Sequence, residues 1–289
     1  MKKINILYYV LCVLLMSSCY EDYAKDYDYS TTYFASQRPL RTVIADRDMQ
    51  IRVGVAIGGK RDVDMNDWAE FEIDPALLAG TGLEILPKEY NNTFRVAKNT
   101  LAVADVAITF TNAFYEDEAC AKTHYALPFK VTSSSLDKVL EGQEYSIVAV
   151  KYISTYHGTY YIKGKVSELD ASGGILNTES YGKADLSKND TREVSTWAKD
   201  VLLRQGVGNN AIVANEKVKM TFQSDHKVKV ETAEGGIEIT DGSGTFDDSG
   251  ENLEISLKYR YTKSGKKYEV EETLIRRQDP LKDLRYEEW

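Results

Sequence analysis

The chain has 289 residues, with 36 Lys and Arg against 45 Asp and Glu, and a formal charge of −9. An acidic balance of this size argues against nucleic acid, which needs a basic footprint, and against adsorption onto anionic lipid. With 43% hydrophobic residues, the chain is long enough to build two apolar cores.

Lys2 and Lys3 precede a mostly apolar run from Ile4 to Met16, followed by Ser17, Ser18 and Cys19. A short positive end, about 13 apolar residues and small residues before a cut describe a secretory leader. The run is shorter than the roughly 20 residues of a permanent spanning helix. Met16-Ser17-Ser18-Cys19 resembles a lipobox, the pattern cleaved by the lipoprotein signal peptidase, although Met16 stands where Leu is commoner. The resemblance implies a leader over 1–18 and a diacylglycerol on Cys19. Acyl chains anchor firmly because each buried methylene contributes about 0.8 kcal/mol. Tyr20, Glu21 and Asp22 follow directly. An acidic cluster at that place resembles the surface-export signal of Bacteroidota lipoproteins, and implies an outer-membrane protein facing the cell exterior. A plain solvated tether is the alternative. Loss of Lys2 and Lys3 with the leader takes the formal charge from −9 to −11. Cys12 leaves too and Cys19 is lipidated, so Cys120 alone remains and no intrachain disulfide is expected. Cys120 reads as a small buried hydrophobe.

Residues 19–33 read as a lipidated tether, with Tyr20, Tyr23, Tyr27, Tyr29 and Tyr33 interspersed with acidic residues. From Phe34 to Tyr152 the pattern is β. Ile51, Val53, Val55 and Ile57 alternate before a turn at Gly58-Gly59. Phe71 and Ile73 alternate until Pro75. Phe94 and Val96 form a short strand, and Val106, Ile108 and Phe110 another. Tyr125, Leu127, Phe129 and Val131 follow, with Pro128 pointing to an edge or a bulge. Glu144 to Tyr152 closes the set, and short strands between turns suit a sandwich.

A second segment, 153–289, opens at His157-Gly158-Thr159-Tyr160-Tyr161. Val218, Met220 and Phe222 alternate, then Val228 and Val230. Leu253, Ile255, Leu257, Tyr259 and Tyr261 run to a turn at Thr262-Lys263-Ser264-Gly265, and Tyr268, Val270, Glu272 and Leu274 return on one face. That is a strong hairpin signal. Thr191 to Arg204 fits a helix through Val194, Trp197, Val201 and Leu202, or a strand through Val201-Leu203. Consecutive antiparallel strands of this length suit an up-and-down barrel or a curved sheet.

Tyr33-Phe34, the strand Ile51 to Gly59, Ile85-Leu86-Pro87 with Tyr90, and Tyr125-Ala126-Leu127-Pro128-Phe129-Lys130-Val131 together carry a resemblance over roughly 33–152. They resemble a domain of unknown function common in Bacteroidota, found also ahead of the catalytic barrel of some family-18 endo-β-N-acetylglucosaminidases. The resemblance implies an immunoglobulin-like sandwich over 34–152. Gly158-Thr159-Tyr160-Tyr161, Gly244-Thr245-Phe246 and the hairpin ending Leu274-Ile275-Arg276-Arg277 are similar to the lipocalin-like domains that often follow it. The expected fold is therefore all-β: an N-terminal immunoglobulin-like β-sandwich, then a lipocalin-like antiparallel β-barrel or curved sheet. Such lipoproteins are often encoded with outer-membrane glycan importers, which implies an importer and a glycan as partners. The catalytic barrel itself has no room here, since about 137 residues remain after Tyr152 against about 250 for that fold.

Catalytic signals are sparse. His124, His157 and His226 form no metal-binding pair, and no Gly-x-Ser-x-Gly elbow is present. Ala56-Ile57-Gly58-Gly59-Lys60 lacks phosphate-loop spacing. Asp241, Asp247 and Asp248 lie in a Gly/Ser-rich stretch without EF-hand spacing. No enzyme, cofactor or metal is expected. Aromatic residues are the remaining lead, because sugar faces stack on exposed rings. Trp68, flanked by Asn66, Asp67 and Glu70, is the first candidate glycan platform, and Trp197 the second. An acidic body disfavours polyanions, so a neutral glycan is the expected ligand. A structural or adhesive envelope subunit is the alternative, and a carrier that uses a barrel interior is a third reading. Cys19→Ala should release the protein from the membrane fraction and leave the precursor uncleaved. Normal processing with full membrane retention would refute the anchor.

Overall fold

The computed structural model describes residues 29–59, 67–92 and 105–289. The leader, Cys19, Glu21, Asp22, and the strand expected at Phe94 and Val96 lie outside the described residues.

Among the described residues ten strands precede 154. β1 (Thr31–Tyr33) and β2 (Pro39–Ile44) open the chain. β3 (Gln50–Gly54) and β4 (Ala56–Gly58) are the two halves of the alternating run, parted at Val55. β5 (Ala69–Ile73), β6 (Glu84–Ile85), β7 (Asp105–Thr109), β8 (Tyr125–Ser134), β9 (Lys138–Val139) and β10 (Tyr145–Ile153) complete the set. They form two layers. One holds the order β2-β10-β8-β5, with β6 on β8; the other holds β4-β1-β9 and the pair β3-β7. Alternation fills the space between. Ile51 and Val53 face Ile108 and Val106 across β3 and β7, while Arg52 points outward. Phe71 meets Phe34 and Phe129 edge-on, with centroids 5.6 and 5.5 Å away. Each such pair adds about 0.5–1.5 kcal/mol beyond its buried area. A short helix, α1 (Asn112–Glu116), drops Phe114 into the same core.

β10 is buried on both faces. Val148, Val150 and Tyr152 enter this core, and Ile147 and Ala149 pack outward with Leu40 and Ala126. Pro128 is neither on an edge nor at a bulge, as the sequence suggested. It sits inside β8, paired with Ile147 of β10. Its carbonyl accepts from Asp74 N on the other side, where β8 passes from β5 to β6. A residue's N–H and C=O share one side of a strand, so the missing N–H faces the join between two partners.

β11 (Gly158–Leu169), β12 (Ile175–Tyr181), β13 (Thr191–Ala198), β14 (Val201–Gln205), β15 (Lys217–Phe222), β16 (Lys227–Thr232), β17 (Ile239–Asp247), β18 (Glu254–Lys263) and β19 (Lys266–Arg276) form one antiparallel sheet. β19 pairs with both β18 and β11, which closes eight strands into a barrel and leaves β12 as a flap on the outer half of β11. The interior is packed with Tyr160, Ile162, Val194, Leu202, Met220, Leu257 and their neighbours. A carrier cavity of the lipocalin type is therefore replaced by a side-chain core. The segment left open between helix and strand is the β13–β14 hairpin. Its register shifts between Thr196 and Ala198, so Trp197 is the extra residue. A bulge inserts one position into a period of two, and the resulting spacing of three imitates a helix.

Charge is buried inside this barrel. Arg204 Nη2 donates to Glu272 Oε2 at 2.7 Å, and both side chains are fully buried. Tyr259 and Tyr181 hydroxyls donate to the two Glu272 oxygens at 3.1 and 3.0 Å. Burial, then the Glu272 charge, holds both phenols far above their ordinary pKa. Burial pulls the Arg204 guanidinium down, and Glu272 with the two phenols more than reverses this.

Chain ends tie the two cores. Ser154 N donates to Thr196 Oγ1, and Arg276 Nη1 to the Thr155 carbonyl. Past β19, Asp279 caps α2 (Pro280–Asp283), and β20 (Glu287–Glu288) returns to pair with Pro39 and Leu40 of β2. Trp289 Nε1 donates to the Ile147 carbonyl at 2.9 Å, with the Arg38 guanidinium 5.4 Å over its ring.

Two outcomes follow for stability. Trp289→Ala should cost about 1–3 kcal/mol, from lost burial and one hydrogen bond; an unchanged urea midpoint would show that the tail does not brace the sandwich. Arg204→Met alone should cost about 3–5 kcal/mol, because Glu272 is left charged and unpaired. Arg204→Met with Glu272→Gln should recover part of that loss, and strictly additive costs in a double-mutant cycle would contradict the pairing.

Candidate functional site

The two tryptophans stand on different sheets. Trp68 precedes β5, half-buried, with its backbone N donating to Ser135 Oγ and its carbonyl accepting from Ser135 N. Trp197 is half-buried at the β13 bulge, and the Lys122 ammonium lies 4.7 Å over its ring. Neither lines the cavities described below.

Strand directions define two barrel ends. Linker residues 154–157, the β13–β14 turn and the end of β19 share the proximal end. The β18–β19 turn, the end of β11 and the segment after β14 share the distal one. At the distal rim, register builds a row. Asn177 lies opposite Glu168, Glu168 opposite Tyr268, and Tyr268 opposite Tyr261. Residues directly paired on neighbouring strands project to one face. Four side chains on β12, β11, β19 and β18 thus span about 14 Å at ordinary strand spacing. One step inward, Glu179, Val166 and Val270 form the parallel row.

The segment after β14 walls this row. Gly206 and Gly208 have φ of 76° and 49°, a left-handed path favoured by glycine. A Cβ on Gly208 would meet Val166 Cγ2 at 2.8 Å. The buried charge group holds this path: Arg204 Nη2 donates to the Gly208 carbonyl at 2.7 Å, and Gly208 N donates to the Tyr259 hydroxyl at 2.9 Å. Asn210 and Asn209 then face the rim, donating to the Tyr261 hydroxyl and to Glu179 Oε1, both at 3.0 Å.

The result is a cavity of about 390 Å³ lined by Glu168, Asn177, Glu179, Asn209, Tyr261 and Tyr268 among others. The rings of Tyr261 and Tyr268 stack at 5.0 Å and 18°. Tyr261 is buried, and burial pushes its hydroxyl up to about 12. Tyr268 is the more open ring of the pair. Glu168 is tied to Lys266 at 2.9 Å. The cavity offers carboxylate and amide acceptors, amide and hydroxyl donors, and a ring, and it lies at the end away from the linker.

At the proximal end a cavity of about 290 Å³ is lined by Tyr156, Asp200, Phe222, His226, Phe246 and Asp248. Tyr156 stacks on Phe222 at 4.2 Å, as Tyr268 does on Tyr261 at the distal end, and Phe222 and Phe246 are buried. Burial raises Asp200 above its ordinary range. His157 is held below the ordinary imidazole range by burial, and its Nδ1 accepts from Thr196 N. No group of three or more His, Cys, Asp or Glu among the described residues is placed to hold a metal ion. Asp241 instead pairs with Arg260, and Asp247 accepts from Ser249. Sequence alternation had put Tyr268 and Glu272 on one face, and the tyrosines at 261 and 268 on one hairpin. It could not show that Glu168 and Asn177 complete the row, because that needs the closure of β11 on β19.

No curated protein matches this chain. A family model described as "-like, N-terminal domain" matches residues 27–138, the sandwich segment. Among solved structures, a protein of unknown function from Bacteroides ovatus is 20% identical, with a TM-score of 0.71 over 87% of this chain and 95% of that one. A multidomain protein including DUF1735, also from Bacteroides ovatus, is 13% identical with a TM-score of 0.46, over 86% and 94% of the two chains. The first likeness spans both cores, so the sandwich-and-barrel fold is shared with a solved protein. At 20% identity that likeness is one of fold, and the family model is matched by the N-terminal segment alone.

Proposed function

We propose that the protein is a non-catalytic lipoprotein of the outer membrane, held by Cys19 with Glu21 and Asp22 as its surface-export signal, and that it binds a neutral extracellular glycan at the distal barrel rim, in support of a glycan importer. The observation that carries the binding reading is the row Asn177–Glu168–Tyr268–Tyr261 beside Glu179 and Asn209. A sugar presents hydroxyls that donate to carboxylates and pair with amides, and an apolar face that stacks on a ring. The lining holds two carboxylates, Glu168 and Glu179, against the single ammonium of Lys263, a balance that favours a neutral ligand over a sulfated or uronate-rich one. Tyr268 is taken as the first platform because it lines this cavity, whose lining includes neither Trp68 nor Trp197.

A second reading, a structural or adhesive envelope subunit, draws on β12. It ends the sheet order, and Ile175 and Leu176 are 64% and 63% exposed on it. Such a subunit would need no small-molecule site.

Calorimetric titration with neutral oligosaccharides separates the two. The glycan reading expects a dissociation constant between micromolar and millimolar, about −8 to −4 kcal/mol. Tyr268→Ala should weaken it at least about tenfold, or about 1.4 kcal/mol, with an unchanged melt. Trp68→Ala and Trp197→Ala should leave it near the parent value. Absence of heat with every glycan would discard the glycan reading and leave the structural one, and tight binding only to polyanions would overturn the neutral ligand and the proposed rim contacts.

A further inference from the structure

Among the described residues the barrel buries two guanidiniums against one carboxylate, Glu272, while nearby Glu216, 14% exposed, is paired with Lys263. Arg192 is 6% exposed and Arg204 is fully buried, and both project inward from the neighbouring strands β13 and β14. Arg192 donates through Nη1 to the Thr191 carbonyl and through Nη2 to the Asn210 carbonyl. Arg204 donates to the Gln205 and Gly208 carbonyls and to Glu272. After these bonds the Nε atoms of both arginines are buried without a hydrogen-bond partner in the protein. An orphaned N–H on a charged group is costly, and two on adjacent guanidiniums call for an acceptor. Asp190, the other acid that acts on Arg192, is exposed and therefore screened. Burial, and then the Arg204 charge, holds Arg192 below its ordinary pKa.

Geometry gives the acceptor a place. Gly206 lies against both side chains. The direction its missing Cβ would take opens onto Arg204 Nη1 and Arg192 Nε, which would stand 3.5 and 3.7 Å from that Cβ, so an ion resting in van der Waals contact on this side of Gly206 lies between the two cations.

We propose that a halide-sized monovalent anion binds inside the barrel between Arg192 and Arg204, beside Gly206. It accepts from guanidinium N–H groups and brings the buried charge of Arg192, Arg204 and Glu272 to zero. Because the same two arginines hold the Gly208 and Asn210 carbonyls, the anion also braces the segment that walls the distal rim.

Thermal unfolding of the full-length protein tests this, with sodium chloride or bromide compared with sodium gluconate at equal ionic strength. Over about 1 to about 300 mM, halide should raise the melting temperature by about 3–5 °C per tenfold increase above its dissociation constant, and gluconate should not. Arg192→Met should abolish the difference. Should that variant not fold, crystals of the parent protein grown in bromide should give an anomalous peak within reach of both guanidiniums. Superimposed halide and gluconate melts, full halide dependence in Arg192→Met, or no bromide peak beside Gly206 would each overturn the proposal; the last would leave water as the acceptor.

Discussion

A guanidinium, a carboxylate and two phenols share one buried volume inside the barrel, and both the closure of the sheet and the shape of its far rim depend on their mutual satisfaction. Taking Arg204 and Glu272 out of water is expensive, and their attraction offsets this only when the remaining lone pairs are used. Here the two Glu272 oxygens receive three hydrogen bonds. The group also fixes register. A slip of one residue in β19 would turn Glu272 outward and Glu271 inward. Glu271 is the outward partner of Lys165 and Lys258, so the slip would leave Arg204 a carboxylate but break both surface pairs. The buried pair on Glu272 and the surface pairs on Glu271 therefore act together against wrong closures of an otherwise uniform set of alternating strands.

The two cores are separate in their packing yet joined by the path of the chain. The barrel is entered at 154–157 and left after β19, both at its proximal end, and the chain then returns to the first sheet as β20. Trp289 packs on the outer face of β10 beside Leu77, Leu78 and Leu83. A strand apolar on both faces needs two covers, and part of the second comes from the far end of the sequence. Ion pairs Arg47–Asp279 and Lys199–Asp46 cross the same junction, but they are partly exposed and contribute little beside the tail.

What the sequence made legible follows what is local. The β18–β19 hairpin was readable because alternation, turn residues and length agreed, and all ten register pairs lie within one turn's reach. Both strand-rich halves were readable for the same reason. Three features were hidden by longer-range terms. Trp197 sits at a bulge, so its spacing from Val194 looked helical. Pro128 looked like an edge residue, because nothing local reveals that β8 changes partner beside it. Arg204 and Glu272 were each visible as charged residues on alternating runs, but their meeting joins β14 to β19 across the barrel, 68 residues apart. The lateral row at the rim has the same origin, since Glu168 and Tyr268 are brought together only by closure.

A filled barrel changes where binding can occur. In a hollow barrel the ligand takes the interior, and the strands need only be apolar inside. Here Tyr160, Met220, Leu257 and the charge group occupy that space, so recognition must lie at an end or on the outer surface. The proximal end is crowded by the linker and by contacts with the first core. At the distal end the sheet continues past the barrel through β12 and the outer half of β11, and the inward face of that extension is not closed over. Residues there alternate as in the core, but the positions that would be Val or Leu deeper in the barrel are Asn177, Glu168 and Tyr268. The same period that packs the interior thus delivers, one or two steps further along each strand, a polar row with a ring in it. Its precision comes from the buried charges below, which hold the Gly206–Asn210 path against the row. A path held by these buried hydrogen bonds would spare a ligand of the rim the cost of ordering a loop.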